Sequence, residues 1–79
     1  MKLELYYRPE CGFCRMVLNT IKNLKIEEKV ELRNIREDPG NEQALVEECG
    51  DTQVPTLFID GKPMRESSEI KSFLTKTFM

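Results

Sequence analysis

Cys11 and Cys14 stand three positions apart in the stretch Arg8-Pro9-Glu10-Cys11-Gly12-Phe13-Cys14-Arg15. An apolar strand pattern precedes them and a helical pattern follows. Residues i and i+3 share one face of a helix, so two thiols at this spacing meet if a helix opens at Cys11. A helix N-terminus carries free N–H groups and a partial positive charge, and both favour a thiolate over a thiol. A free cysteine titrates near pH ~8.5, and helix N-termini bearing such pairs bring that to about 3.5–7.5. Arg8 and Arg15 push the same way, and Glu10 opposes them. The thiolate is the species that attacks a disulfide. Cys11, nearer the helix end and solvent, is the candidate nucleophile; Cys14, one turn further in, is the candidate resolving thiol. The expected chemistry is electron exchange through these two sulfurs.

The rest of the composition narrows the alternatives. Zinc takes four ligands, but the chain has no histidine and only Cys49 as a third sulfur. No metal is therefore expected, and Cys49 is expected to pack as a small hydrophobe or to be a spare surface thiol. The net charge is −2 with both signs interspersed, which leaves no basic patch for nucleic acid. No apolar run approaches the ~18 residues of a membrane span, and Glu4 falls where a signal peptide needs an apolar core. A cytoplasmic, monomeric protein is expected. In a reducing compartment a Cys-x-x-Cys pair is more often catalytic or metal-binding than structural. At 79 residues the expectation is one domain over residues 1–79, with a modest core of hydrophobic packing.

The elements that must position the pair follow from periodicity and breakers. Leu3, Leu5 and Tyr7 alternate with Glu4 and Tyr6, which predicts a strand ended by Pro9. On that strand Tyr6 and Tyr7 must face opposite sides. Phe13, Val17, Ile21 and Leu24 fall at helical spacing from Gly12 to about Lys25. Val30, Leu32 and Asn34-Ile35 suggest a second strand, parallel to the first across the helix. Asp38 and Pro39 suit an N-cap and first helical residue, opening a helix through Ala44, Leu45, Val46 and Cys49 that Gly50 stops. Thr56–Ile59 reads as a buried strand. Asp60-Gly61 is a tight-hairpin pair, with Lys62–Arg65 returning antiparallel. Ser67 or Ser68 suits the cap of a last helix carrying Ile70, Phe73, Leu74 and Phe78. Phe58, Phe73, Leu74 and Phe78 are expected in the core. The order is βαβαββα, an α/β fold.

Cys11-Gly12-Phe13-Cys14 after a first strand, Val54-Pro55 before an apolar strand, and the βαβαββα order together resemble the glutaredoxins, a branch of the thioredoxin fold. The resemblance covers nearly the whole chain. It implies a thioredoxin-like, four-stranded mixed sheet flanked by helices. It also implies that Cys11 is the nucleophile, that Pro55 follows a cis peptide bond facing it, and that the Val54 backbone pairs with the peptide-like backbone of glutathione. Arg8, three residues before the nucleophile, corresponds to a basic residue that helps bind or activate. Tyr6 matches an aromatic on the first strand, and Phe13 takes the place of an aromatic lining the thiol groove. Gln53 replaces a common threonine before Val-Pro, and Met64-Arg65-Glu66-Ser67-Ser68 replaces a common Gly-Gly pair. Glu66-Ser67-Ser68-Glu69-Ile70 is similar to the Glu-Ser-x-x-Ile run of glutathione transferase N-terminal domains. That likeness implies a γ-glutamyl site at Glu66, Ser67 and Ser68, where a helix N-terminus suits a carboxylate. With no C-terminal helical domain in the sequence, transferase activity is not expected.

The resulting expectation is a small thiol–disulfide oxidoreductase with glutathione as co-substrate and no tightly bound cofactor. Its partners are disulfide-containing proteins or glutathione mixed disulfides, together with a reductase system. Two rivals accompany it. Cys-Gly-Phe-Cys is one atom type away from the Cys-Gly-Phe-Ser of single-thiol glutaredoxins, which hold an iron–sulfur cluster between two subunits with glutathione. The missing Gly-Gly pair instead favours a thioredoxin-like electron donor that ignores glutathione.

Overall fold

The Leu/Tyr alternation at the N-terminus forms strand β1 (Leu3–Tyr7), and the helical periodicity after it forms α1 (Gly12–Asn23). In the computed structural model, which describes residues 1–79, a single 3₁₀ turn (Glu27–Lys29), β2 (Val30–Asn34), α2 (Pro39–Cys49), β3 (Thr56–Ile59), β4 (Lys62–Met64) and α3 (Ser67–Phe78) follow. The sheet runs in the order β2-β1-β3-β4. β1 pairs parallel with β2 and antiparallel with β3, setting Leu5 opposite both Leu32 and Leu57 and Tyr6 opposite Thr56. β4 returns antiparallel along β3. This is the expected α/β, thioredoxin-like arrangement. No helix is long and apolar enough to cross a membrane.

Strand alternation divides the core in two. Leu3, Leu5 and Leu57 join Val17 and Ile21 of α1, Ile70 and Leu74 of α3, and Ile26 and Val30 in one buried cluster. Tyr6 and Phe58 point to the opposite face and pack with Ile35 and Leu45 under α2, their rings 5.3 Å apart. Tyr7 packs against the first cluster, so the two tyrosines do face opposite sides. Both central strands are thus covered on both faces, which holds β1 and β3 rigidly against each other.

The caps are local and chemically legible. Asp38 accepts the Gly40 N–H at 2.9 Å and Pro39 opens α2, while Gly50 closes it at φ 81°. Asp60 and Gly61 take φ 50° and 86°, the left-handed pair that a two-residue hairpin demands. α1 stops two residues before the expected Lys25. Lys25 itself turns left-handed (φ 59°), and the Ile26 N–H reaches back to the Ile21 carbonyl at 3.2 Å. This is a Schellman closure whose two flanking isoleucines share the core.

Four further expectations change. β2 ends at Asn34, because the Ile35 side chain drops into the second cluster while its N–H bonds the Tyr7 carbonyl at 3.0 Å. β4 ends at Met64, because Arg65 turns its guanidinium toward the loop before β3. Neither Ser67 nor Ser68 caps α3. The N-cap is Glu66, whose side chain makes no capping bond, and both serines already lie inside the first turn. Phe73 and Phe78 are only half-buried, since α3 presents them at the rim of the first cluster; Phe78 there lies under the Lys29 ammonium, 5.4 Å away.

Leu57 is fully enclosed between the helices and the sheet, whereas Leu32 on the outer strand is 44% exposed. Leu57→Ala is expected to lower the unfolding free energy by about 2–5 kcal/mol, and Leu32→Ala by no more than about 0.5 kcal/mol. Urea titrations of the two variants check this; equal midpoints would contradict the packing described.

Candidate active site

The turn Arg8–Cys11, closed by the Cys11 N–H on the Arg8 carbonyl at 3.2 Å, delivers the chain into α1. Cys11 is the N-cap rather than the first helical residue, with extended φ/ψ of −80°/122°. Its sulfur accepts the Cys14 N–H at 3.3 Å. Ser, Thr, Asp or Asn usually fills this position, because a side-chain acceptor satisfies an orphan helix donor. A sulfur does so best as an anion. Burial alone would raise the Cys11 pKa, but the bonds from Cys14 and the Phe13 backbone and the charge of Arg8 together bring it below its ordinary value.

Cys14 sits one turn deeper and is fully buried. Burial, reinforced by the hydrogen bond to Cys11 and the charge there, pushes its pKa up to about 12. Two cysteines three residues apart therefore have their pKa values driven in opposite directions, which makes Cys11 the more readily ionised of the two. The charges around them differ from expectation in two respects. Glu10 does not act as a free opposing charge: its carboxylate pairs with Arg36 at 2.5 Å. Arg15 lines a shallow groove of about 480 Å³ on the far side of Gly12, with Met16, Asn19 and Lys71. That groove is larger than the one beside the Cys11 sulfur, but it is lined by no thiol and no paired acid and base.

The loop before β3 completes the site. The Val54–Pro55 peptide bond is cis, and the Val54 carbonyl oxygen lies 3.9 Å from the Cys11 sulfur, within reach of the thiol proton. The main-chain N–H of Val54 has no hydrogen-bond partner within the protein, which leaves it free for an extended chain alongside. A groove of about 290 Å³ runs along this loop, lined by Phe13, Gln53, Val54, Pro55, Arg65, Glu66 and Ser67. The fold thus gathers six of the candidate binding residues on one side of the thiol. Phe13 is 67% exposed at its lip. Arg8 lies outside the groove and acts on the sulfur through its charge. Ser68 is not part of it and faces Met16, Lys71 and Ser72 instead, one helical step of about 100° away from Ser67. Cys49 packs half-buried against the Tyr6–Phe58 cluster. No three Cys, Asp or Glu side chains converge as metal ligands.

Arg65 is the site residue that sequence reasoning missed. It pairs with both oxygens of Asp51, and its guanidinium also donates to the Gln53 carbonyl and the Thr56 hydroxyl, each at 3.3 Å. A basic residue beside the Glu-Ser run was the available signal, but nothing local connects position 65 to position 51.

A family model described as glutaredoxin matches residues 3–64. No curated protein matches the chain. Among solved structures, the thioredoxin-like protein BC3987 superposes with a TM-score of 0.75 at 24% identity, over 92% of this chain and 99% of that one. The glutathione transferase Omega 3C of Trametes versicolor gives 0.79 at 22% identity over 99% of this chain. This chain spans only 34% of that transferase, corresponding to one part of it. Oxidised glutaredoxin 2 of Chlamydomonas reinhardtii gives 0.69 at 18% identity, over 98% and 74% of the two chains. At these identities the likenesses are ones of fold.

The pKa directions predict a separable titration. As pH rises, Cys11 is expected to ionise first, below its ordinary value, and Cys14 to remain a thiol until pH approaches about 12. Thiolate absorbance and iodoacetamide alkylation of wild type and Cys14→Ser against pH check this; two thiols titrating together near pH ~8.5 would contradict the geometry.

Proposed function

Because the chain belongs to the glutaredoxin family, and so to the thiol–disulfide oxidoreductases, we propose that Cys11 and Cys14 are its redox pair and that glutathione is its co-substrate. The observation that carries this reading is the helix-capping sulfur of Cys11, held toward the thiolate beside a backbone with a free N–H. The substrate is a protein disulfide or a glutathione mixed disulfide, laid along Val54 in the groove that Phe13 and Ser67 border.

The Cys11 thiolate attacks one sulfur of the substrate disulfide. The substrate S–S bond breaks, the other sulfur leaves as a thiolate that takes up a proton, and Cys11 is left in a mixed disulfide. Forming that bond removes the negative charge from Cys11. One of the influences that keep Cys14 protonated disappears with it, so Cys14 becomes easier to ionise when it is needed. Its thiolate then attacks the Cys11 sulfur and expels the reduced substrate, leaving a Cys11–Cys14 disulfide. A glutathione thiolate can take the same step. The substrate gains two electrons and the pair loses two. Two glutathione molecules, or a reductase, return them.

The groove end formed by Glu66, Ser67 and the uncapped start of α3 suits the γ-glutamyl moiety: free N–H groups there suit its carboxylate, and Glu66 suits its ammonium. This favours glutathione over a route that bypasses it. Cys11→Ser is expected to abolish disulfide reduction. Cys14→Ser is expected to accumulate a mixed disulfide on Cys11, visible by mass spectrometry, and to keep only the glutathione-resolved route. Turnover assays driven separately by glutathione and by a thioredoxin-type reductase test the coupling. Undiminished turnover by Cys11→Ser sinks the assignment of the nucleophile, and turnover by the reductase alone sinks that of the co-substrate.

A further inference from the structure

The hydrogen bonds of one guanidinium bracket the backbone that faces the nucleophile. Gln53, immediately before Val54, has both of its main-chain polar groups tied. Its N–H donates to Asp51 Oδ1 at 3.0 Å, and its carbonyl accepts the Thr56 hydroxyl at 2.8 Å and Arg65 Nη2 at 3.3 Å. Thr56, immediately after Pro55, is fully buried, and its hydroxyl also accepts Arg65 Nε at 3.3 Å. Asp51 takes Arg65 through both carboxylate oxygens, a bidentate geometry that only a planar guanidinium provides. Arg65 and Asp51 therefore hold the residues on either side of Val54–Pro55. Neither side chain touches Cys11, and neither figures among the influences on its pKa.

We propose that the Asp51–Arg65 pair is a positioning strap for substrate: it fixes the Gln53–Thr56 backbone so that Val54 presents its N–H and carbonyl to the disulfide-bearing chain at the correct distance from Cys11. This rests on the oxidoreductase reading above. The strap acts on binding and alignment and leaves the reactivity of the sulfur alone. A loop freed from it must be ordered by the substrate itself, which costs affinity, and small misplacements of a reacting sulfur are expensive in rate.

The test is Arg65→Gln and Asp51→Asn, singly and together, assayed with a glutathione mixed disulfide of a cysteinyl peptide. Arg65→Gln is expected to lower kcat/KM by about tenfold, mainly through KM. The double variant is expected to be no worse than Arg65→Gln, because the two side chains act as one unit. Arg65→Lys recovers only part of the loss, since an ammonium cannot hold Asp51, Gln53 and Thr56 together. The Cys11 pKa and its alkylation rate by iodoacetamide, which needs no groove, are expected to stay at wild-type values in each variant. Amide hydrogen exchange supplies a readout independent of turnover: Arg65→Gln is expected to speed exchange at Gln53. Wild-type KM in both single variants, additive losses in the double variant, a shifted Cys11 pKa, or unchanged exchange at Gln53 would each overturn the strap. Wild-type protein that reduces no disulfide would instead overturn the oxidoreductase reading and with it the strap's role toward substrate, even if Arg65→Gln still speeds exchange at Gln53; the two failures are thus distinguished by whether wild type turns over.

Discussion

A sulfur in the place of a helix cap is the interaction on which this molecule depends. The Cys14 N–H reaches the Cys11 sulfur at 3.3 Å, and that donor exists because α1 leaves its first N–H groups without carbonyl partners. The bond has a structural and a chemical effect together. It finishes the helix, and it does so best with a negative acceptor. Arg8 adds to the effect, and the pairing of Glu10 with Arg36 removes the one nearby carboxylate that would have countered it. Cys14 shows the opposite case: fully enclosed and without compensation of that strength, its sulfur stays protonated.

The rest of the fold holds two short segments against each other. β1 ends in the turn that starts α1, and β3 begins just after the cis Val54–Pro55 bond. Because β1 and β3 are neighbours in register, with Tyr6 opposite Thr56, the end of one and the start of the other lie side by side. Packing on both faces, by α1 and α3 through Leu5 and Leu57 and by α2 through Tyr6 and Phe58, leaves that register no freedom to slip. The sulfur and the backbone it faces are thus held by the core of the protein, while the groove between them stays open to solvent.

The periodic elements are legible in short runs of sequence. Alternation marks β1, Asp38-Pro39 and Gly50 bracket α2, and Asp60-Gly61 marks the hairpin, since each depends on a few adjacent residues. Boundaries that depend on distant partners are not legible in this way. Arg65 reads as a continuation of β4 until Asp51 is seen to claim it. Ser67 and Ser68 read as caps until Glu66 takes the cap position with extended backbone. Phe73 and Phe78 read as core from their helical spacing, yet the rim of a small domain cannot enclose every large side chain on a helix.

The amino-acid sequence by itself determined the spacing of the thiols, the helix that would open beneath them, the presence of a Val-Pro step and the order of the elements. Those properties follow from backbone periodicity and local steric rules, which act over a few residues. Tertiary structure alone decided that the Val54 carbonyl stands 3.9 Å from a sulfur 43 positions earlier, that Ser67 joins the groove while Ser68 turns away, and that Arg65 holds the loop. Each of these is set by strand register and helix packing, where one residue of slip exchanges one face for the other.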